Sequence, residues 1–307
     1  MTINKLILVS WLTVVLVSAN DVLSANPKIT DKKESLQRLY DAGVPEKGFL
    51  TLKTENYTLP IDAASGWTIE KMFYRDQQFG LNNGHYGTVL RPKEGQWWGT
   101  GHKEGGREIV HHIQLIVDGK DVPITKTGET ITGKRIQLIK ESTIWKFKLR
   151  ADIILTNGYI FEQTKMEALE DCETDLLYYF MHCLPPSTTK WIAQLSDGSL
   201  EKGPLTHSKK MAVSKDTAWV AQYDKKNQLG LLCYTPKVIT GNRSASRIWD
   251  LDHYHKYYLR HNSGQSFKKG EKLDFTVLVK AVPNETGDWK ETQNAASSLM
   301  KQFPAVK

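Results

Sequence analysis

The sequence predicts an all-β protein, a large antiparallel β-sandwich with a short helix near each end. Three observations predict it. Short runs of alternating apolar and polar residues recur between residues 48 and 283. Gly, Asn and Asp punctuate them as turns. The middle of the chain lacks the alternating helices that a parallel sheet requires.

The chain has 307 residues and opens "MTINKLILVSWLTVVLVSANDVLSAN". Lys5 is the only charge before an apolar run of about fourteen residues, and Val17-Ser18-Ala19 fits a small-residue cleavage site. The run is short for a membrane span. Residues 1–19 therefore read as a signal peptide, and the protein as secreted or periplasmic, with no membrane span after cleavage. Residues 20–47 form a helical lead-in. Within it, Asp31 and Glu34 make a capping box, Leu36, Leu39 and Tyr40 an apolar stripe, and Gly43 a stop.

Residues 48–307 read as one β-sandwich domain with a C-terminal helix. "EIVHHIQLIVDGKDVPI" is a hairpin turning at Asp118-Gly119, and "STIWKFKLRADIILTNGYIFEQTKMEAL" another turning at Asn157-Gly158. "TDLLYYFMHCLP", "KWIAQLSDG", "TAWVAQYD", "QLGLLCYTP", "RIWDLDHYHKYYLRH" and "KLDFTVLVKAVP" supply further strands. "GDWKETQNAASSLMKQFP" is the late helix, capped by Asp288 and ended by Pro304. Its core-facing residues are Trp289, Ala296, Leu299, Met300 and Phe303.

The formal charge of +7 comes from 41 basic and 34 acidic residues spread along the chain. No polybasic block marks nucleic-acid binding. An acidic glycan or an anionic surface suits a basic exported protein better. The three cysteines, Cys172, Cys183 and Cys233, are too few and too scattered for a disulfide framework. Cys183 and Cys233 end apolar runs and read as core. Sequons stand at Asn56, Asn242 and Asn284. Serine-hydrolase, nucleotide-loop and zincin signatures are absent. No cofactor is assigned; His102 with Glu104, or the His253-x-His255 pair, could begin a metal site, but no ligand set is assigned.

"FGLNNGHYGTVLRPKEGQWWGTGHKEGGRE" carries the densest chemistry. Its glycines and asparagines imply irregular backbone, where function often sits. Trp97 and Trp98 suit stacking on the C–H face of a pyranose, with His85 and Tyr86 beside them as substrate-binding candidates. His102 and Glu104, two apart, share a face in an extended chain. A carboxylate there can orient the imidazole and raise its pKa for acid–base work. Arg107 can neutralise a sugar carboxylate. By parity, Ile109, His111, Ile113 and Leu115 form an apolar row, so His111 is predicted buried. His112 falls with Gln114 and can line a polar groove. In "RIWDLDHYHKYYLRH", Trp249, Leu251, His253, His255 and Tyr257 alternate onto one face as a second candidate wall.

The size of the β region, "GTGHKEGG" after an Asn-Gly-rich entry, "WKFKLRADIILTNGYIFEQTKMEAL" and the late "FKKGEKLDFTVLVKAV" together resemble the galactose mutarotase-like β-supersandwich proteins. The resemblance covers residues 48–283 as architecture. It implies a supersandwich-like fold and a sugar ligand. In that family a histidine acts as acid and a glutamate as base, with the glutamate late in the chain. Glu104 lies early. The same fold serves polysaccharide lyases and non-catalytic sugar-binding domains.

Two functions follow. In the first, an exported carbohydrate-active protein uses His/Tyr acid–base chemistry. As a lyase, Arg107 would neutralise a uronate, His102 or His253 act as base, and Tyr257 or Tyr86 as acid. As an epimerase, His102 or His255 would work with Glu104. In the second, a non-catalytic glycan-binding β-sandwich uses Trp97 and Trp98 as its platform.

Overall fold

The computed structural model describes residues 47–81, 85–101, 105–236, 244–261 and 264–305, apart from the side chains of residues 85, 86, 244 and 245. The predicted signal peptide and N-terminal helix, and the sequon at Asn242, lie outside the described residues.

The expected all-β sandwich is present, built on two large sheets. The ten-stranded sheet runs, in spatial order, Lys120–Val122, Ile109–Val117, Arg135–Ile144, Phe147–Thr156, Ile160–Ala168, Lys272–Pro283, Leu229–Tyr234, Thr217–Asp224, Thr188–Leu195 and Leu200–Pro204. The eight-stranded sheet runs Lys210–Lys215, Ser244–Asp250, His255–His261, Cys172–Leu184, His85–Pro92, Trp98–Gly99 and Gly106–Arg107, with Gln265–Phe267 also paired to Cys172–Leu184. A smaller sheet holds Thr130–Thr132, Phe49–Lys53, Tyr57–Asp62, Met72–Tyr74 and Gln77–Gly80, with Thr68–Ile69 beside Tyr57–Asp62. Pairing within the two large sheets is antiparallel except between Trp98–Gly99 and Gly106–Arg107.

Along central strands such as Ile160–Ala168 every second residue is buried, as the period of two demands. Leu138, Leu149, Val277 and Val279 from the larger sheet belong to the same buried cluster as Leu177, Tyr179, Ile248 and Tyr257 from the smaller. Tyr179 stacks on Phe275 across the sandwich, with ring centroids 3.7 Å apart.

The two outer faces differ. That of the ten-stranded sheet is covered by the helix Lys290–Gln302, whose Ala296 and Leu299 bury against Ile192, Trp219, Leu232 and Leu278. Gly230 permits this approach, because a Cβ there would stand 2.3 Å from Thr292 Oγ1. Asp288 Oδ1 accepts from the Lys290 N–H, satisfying one donor at the helix start. Met300, predicted inward, is exposed. Thr292, Ala296, Leu299 and Phe303 already complete the stripe at three- and four-residue spacing, and Met300 falls about 100° beyond it.

The Asp118-Gly119 turn forms as expected, both residues having positive φ, and Asp118 Oδ1 accepts from the backbone of Lys134 and Arg135. The chain also reverses at Trp145-Lys146, since Ile144 pairs with Phe147. Trp145 sits there at φ 50°, and a tryptophan is not a turn signal.

His111 is exposed, not buried. Glu141 pairs with His112 and Ser142 with Val110, so His111 is the extra residue of a β-bulge. The bulge resets the alternation, turning both histidines outward, and His111 Nε2 lies 3.0 Å from Thr143 Oγ1. We expect His111→Ala to shift stability by about 0.5 kcal/mol or less in urea unfolding. A buried histidine would cost several times more.

Cys172, Cys183 and Cys233 are buried free thiols. Burial pushes the Cys183 thiol up to about 11. Asn284 is buried, and its amide bonds the Asp288 carbonyl while its Oδ1 accepts from the Gly287 N–H, which leaves no room for a glycan at that sequon.

Candidate functional site

The outer face of the eight-stranded sheet carries its own cluster of Val89, Tyr178, Met181, Cys183 and Tyr258, with Trp97, Tyr254, Leu81 and Leu176 packed against it. Strand parity builds it. Tyr178 stands opposite Val89 on one side and Arg260 on the other. Lys256 stands opposite Cys183 and Trp249, and Tyr258 opposite Arg247.

Aromatic rings and cations interleave here. Tyr178 lies 6.4 Å from Trp97 and 5.3 Å from Tyr258, centroid to centroid. Lys256 Nζ sits 5.6 Å from the Tyr178 centroid and 5.2 Å from that of Tyr258. Arg91 lies 5.4 Å over the Trp97 ring and 3.5 Å from Asp175. The tyrosines are buried, Trp97 and Lys256 half-buried, and Arg91 and Trp249 exposed. The cluster thus has a dry floor and a rim that reaches solvent.

Burial lowers the Lys256 pKa, and the nearby Cys183 only partly opposes that. Two ring faces, each negative by its quadrupole, stabilise the ammonium. Among the described residues Lys256 has no carboxylate partner, so its charge is available to an incoming anion. Burial raises the Tyr258 hydroxyl, which Arg260 and Arg247 partly offset. Arg247 donates to Ser214 Oγ. Together these groups can stack an apolar sugar face and hold a carboxylate or sulfate.

Of the predicted residues, Trp97 belongs to this cluster. Trp98 does not, because adjacent strand residues face opposite ways. Trp98 packs against the main core and lies over Gly106, where a Cβ would meet its ring at 2.1 Å. The expected double-tryptophan platform is therefore divided. We expect Gly106→Ala to cost about 1–3 kcal/mol through overpacking, measured by urea unfolding.

Arg107 is half-buried on the edge strand paired with Trp98–Gly99. His85 and Tyr86 pair with His182 and Met181, but their side chains lie outside the described residues. His102 and Glu104 also lie outside them. His112 is exposed on the other large sheet and does not share the aromatic face.

The predicted file from Trp249 to Tyr257 is not one strand. It breaks into Ser244–Asp250 and His255–His261, joined by a turn that exposes His253. The turn reverses the faces, so Trp249 points outward while His255 and Tyr257 are buried between the sheets. His182 is also interior, its Nε2 2.7 Å from Glu162 Oε1. An interior cavity of about 30 Å³, lined by Thr88, Thr100, Lys140 and Glu162, has room for one water and none for a sugar.

Sequence reasoning missed Arg91, Tyr178, Lys256 and Tyr258. Their signal was the even-numbered file Lys256, Tyr258, Arg260, in which Arg260 pairs with Tyr178 and Lys256 with Cys183 of the neighbouring strand. A second concavity of about 960 Å³ lies at the edge strand Leu200–Pro204, where Lys190, Trp191, Glu201 and Trp289 line it.

No protein-family model matches the chain, and no curated protein matches its sequence. Among solved structures it is similar to a galactose mutarotase-like protein from Lactobacillus casei ATCC 334, at 9% identity and TM-score 0.45, over 76% of this chain and 100% of that one. It is similar to a putative aldose 1-epimerase from Escherichia coli K12, at 10% identity and TM-score 0.41, over 76% and 98%. An α-N-acetylgalactosaminidase from Bifidobacterium bifidum aligns at 10% identity and TM-score 0.46, over 83% of this chain and 39% of that one. At such identities the likeness is one of architecture and assigns no activity.

Proposed function

We propose that this chain is an exported carbohydrate-active protein whose site is the outer face of the eight-stranded sheet, and that it takes an acidic glycan. The observation that carries the reading is Lys256, held between Tyr178 and Tyr258 without a carboxylate partner among the described residues. A uronate or sulfated sugar supplies both an anion for Lys256 and a C–H face for Trp97. Arg91 extends the positive rim. Export rests on the N-terminal apolar run alone.

In the catalytic version, a base removes the proton beside a uronate carboxylate and an acid protonates the leaving oxygen. Lys256 stays an ammonium and neutralises the uronate carboxylate, and Tyr254 or Tyr258 can donate the proton. His102, Glu104 and Arg107 are the further candidates, on the segment leaving Trp97. An ultraviolet assay for unsaturated uronate on a panel of acidic polysaccharides tests this version. New absorbance that disappears in Lys256→Met supports it. Binding without any new absorbance favours the second reading, a non-catalytic glycan-binding sandwich. The wide concavity lined by Trp191 and Trp289 favours that second reading, because it offers another place where a sugar ring can rest on an aromatic side chain.

A further inference from the structure

His207, Asp250 and His255 bring one ligand atom each within 4.8 Å of one another, although they come from separate parts of the sequence. The hairpin between Ser244–Asp250 and His255–His261 pairs Asp250 directly with His255. The segment before Lys210–Lys215 then folds over that pair. His207 and Lys209 both adopt positive φ, which costs a non-glycine residue free energy and persists only where the surroundings enforce it.

What enforces it is Asp250. Its Oδ2 accepts from the Thr206 and Ser208 N–H groups and from Ser208 Oγ, and its Oδ1 from the His207 N–H. These donors hold the carboxyl below the usual carboxylate range despite its burial. His255 is fully buried beside it. Its Nδ1 lies 3.0 Å from Asp250 Oδ1, yet neither ring nitrogen makes a well-aligned hydrogen bond. A fully buried imidazole set directly against a buried carboxylate is a natural pair of ligands for a cation.

His207 completes the set. Its ring stacks on His255 at 5.1 Å, and its Nδ1 is 3.0 Å from the Leu251 carbonyl. Donation from Nδ1 to a carbonyl fixes the tautomer that leaves Nε2 as the ligand, the second-shell arrangement common at metal-bound histidines. With bonds of about 2.0–2.2 Å, two ligands of a tetrahedral ion lie about 3.3–3.6 Å apart, so Nδ1 and Oδ1, 3.0 Å apart, separate by a few tenths of an ångström to share one ion.

We propose that His207 Nε2, Asp250 Oδ1 and His255 Nδ1 bind a divalent transition-metal ion of the zinc class. Two imidazoles and one carboxylate favour zinc over magnesium or calcium. The ion clamps the segment 205–209 onto the hairpin, with its remaining coordination position toward solvent on the exposed His207 side. This proposal stands apart from the carbohydrate reading.

The test titrates the chelator-treated chain with Co²⁺ and follows visible absorption, then displaces it with Zn²⁺ while thermal unfolding is recorded. The parent chain should show one saturating equivalent, loss of the band on Zn²⁺ addition, and a higher Tm. His207→Asn keeps a residue that tolerates positive φ but removes Nε2. It should fold normally and weaken metal affinity about tenfold or more. No absorption change in the parent chain, or equal affinity in His207→Asn, would overturn the site and leave Asp250 and His255 as a plain structural pair.

Discussion

Replacing Glu108 with alanine should destabilise the protein by about 3–5 kcal/mol. Glu108 Oε2 lies 2.9 Å from Lys140 Nζ, and both side chains are almost wholly removed from solvent. The same ammonium donates to the Gly66 carbonyl at 2.7 Å. Removing the carboxylate leaves a buried cation with, among the described residues, only a neutral acceptor, and the desolvation penalty then appears in the folded state. Urea unfolding of Glu108→Ala measures it. The paired change Glu108→Leu with Lys140→Met should recover most of the loss, because it removes both buried charges. A loss under about 1 kcal/mol in Glu108→Ala would show that water reaches Lys140. The pair also matters to the site, since Glu108 anchors the segment carrying Gly106, on which Trp98 rests.

Trp97→Ala should weaken acidic-glycan binding by about 2 kcal/mol, roughly thirtyfold in Kd, as loss of an aromatic anchor does. Lys256→Met should weaken it comparably and remove much of its salt dependence. The same Lys256 variant should raise stability at neutral pH. The sign follows from the lowered pKa of Lys256. The folded state disfavours its ammonium relative to the unfolded chain. That penalty is fully present below the folded pKa and fades as pH rises through it toward the ordinary value of 10.5. Parent and Lys256→Met stabilities should therefore converge with rising pH. Binding of an anionic sugar should fade over the same rise, because it needs the ammonium form. Urea unfolding and binding isotherms across that range check both trends.

Much of the fold was legible because strand periodicity and turn chemistry are local. Asp118-Gly119 declares its hairpin, and Leu273 to Pro283 reads as a core strand without help. The site was less legible because parity depends on where a strand breaks. Leu251 to Tyr254 carries no glycine or proline, so the chain from Arg247 to His261 reads as one strand. One unseen turn moved His255 and Tyr257 into the core and put Lys256 and Tyr258 on the working face. His111 and His112 followed the same logic, since a bulge opposite Glu141 is invisible in the sequence. The grouping of His207 with Asp250 and His255 is a tertiary fact, spanning more than forty positions for its Asp250 contacts. Trp97 could be found from its glycine-rich setting, but only pairing with Gly106 shows why Trp98 is not its partner in binding.

The most direct measurement of the central claim is binding of the purified chain to a polyuronate and to a neutral polysaccharide, each compared with Lys256→Met. The account predicts preferential binding to the polyuronate, weakening with salt, and a loss of that preference in Lys256→Met. Equal affinity for both polymers, or a preference untouched by Lys256→Met, would contradict it.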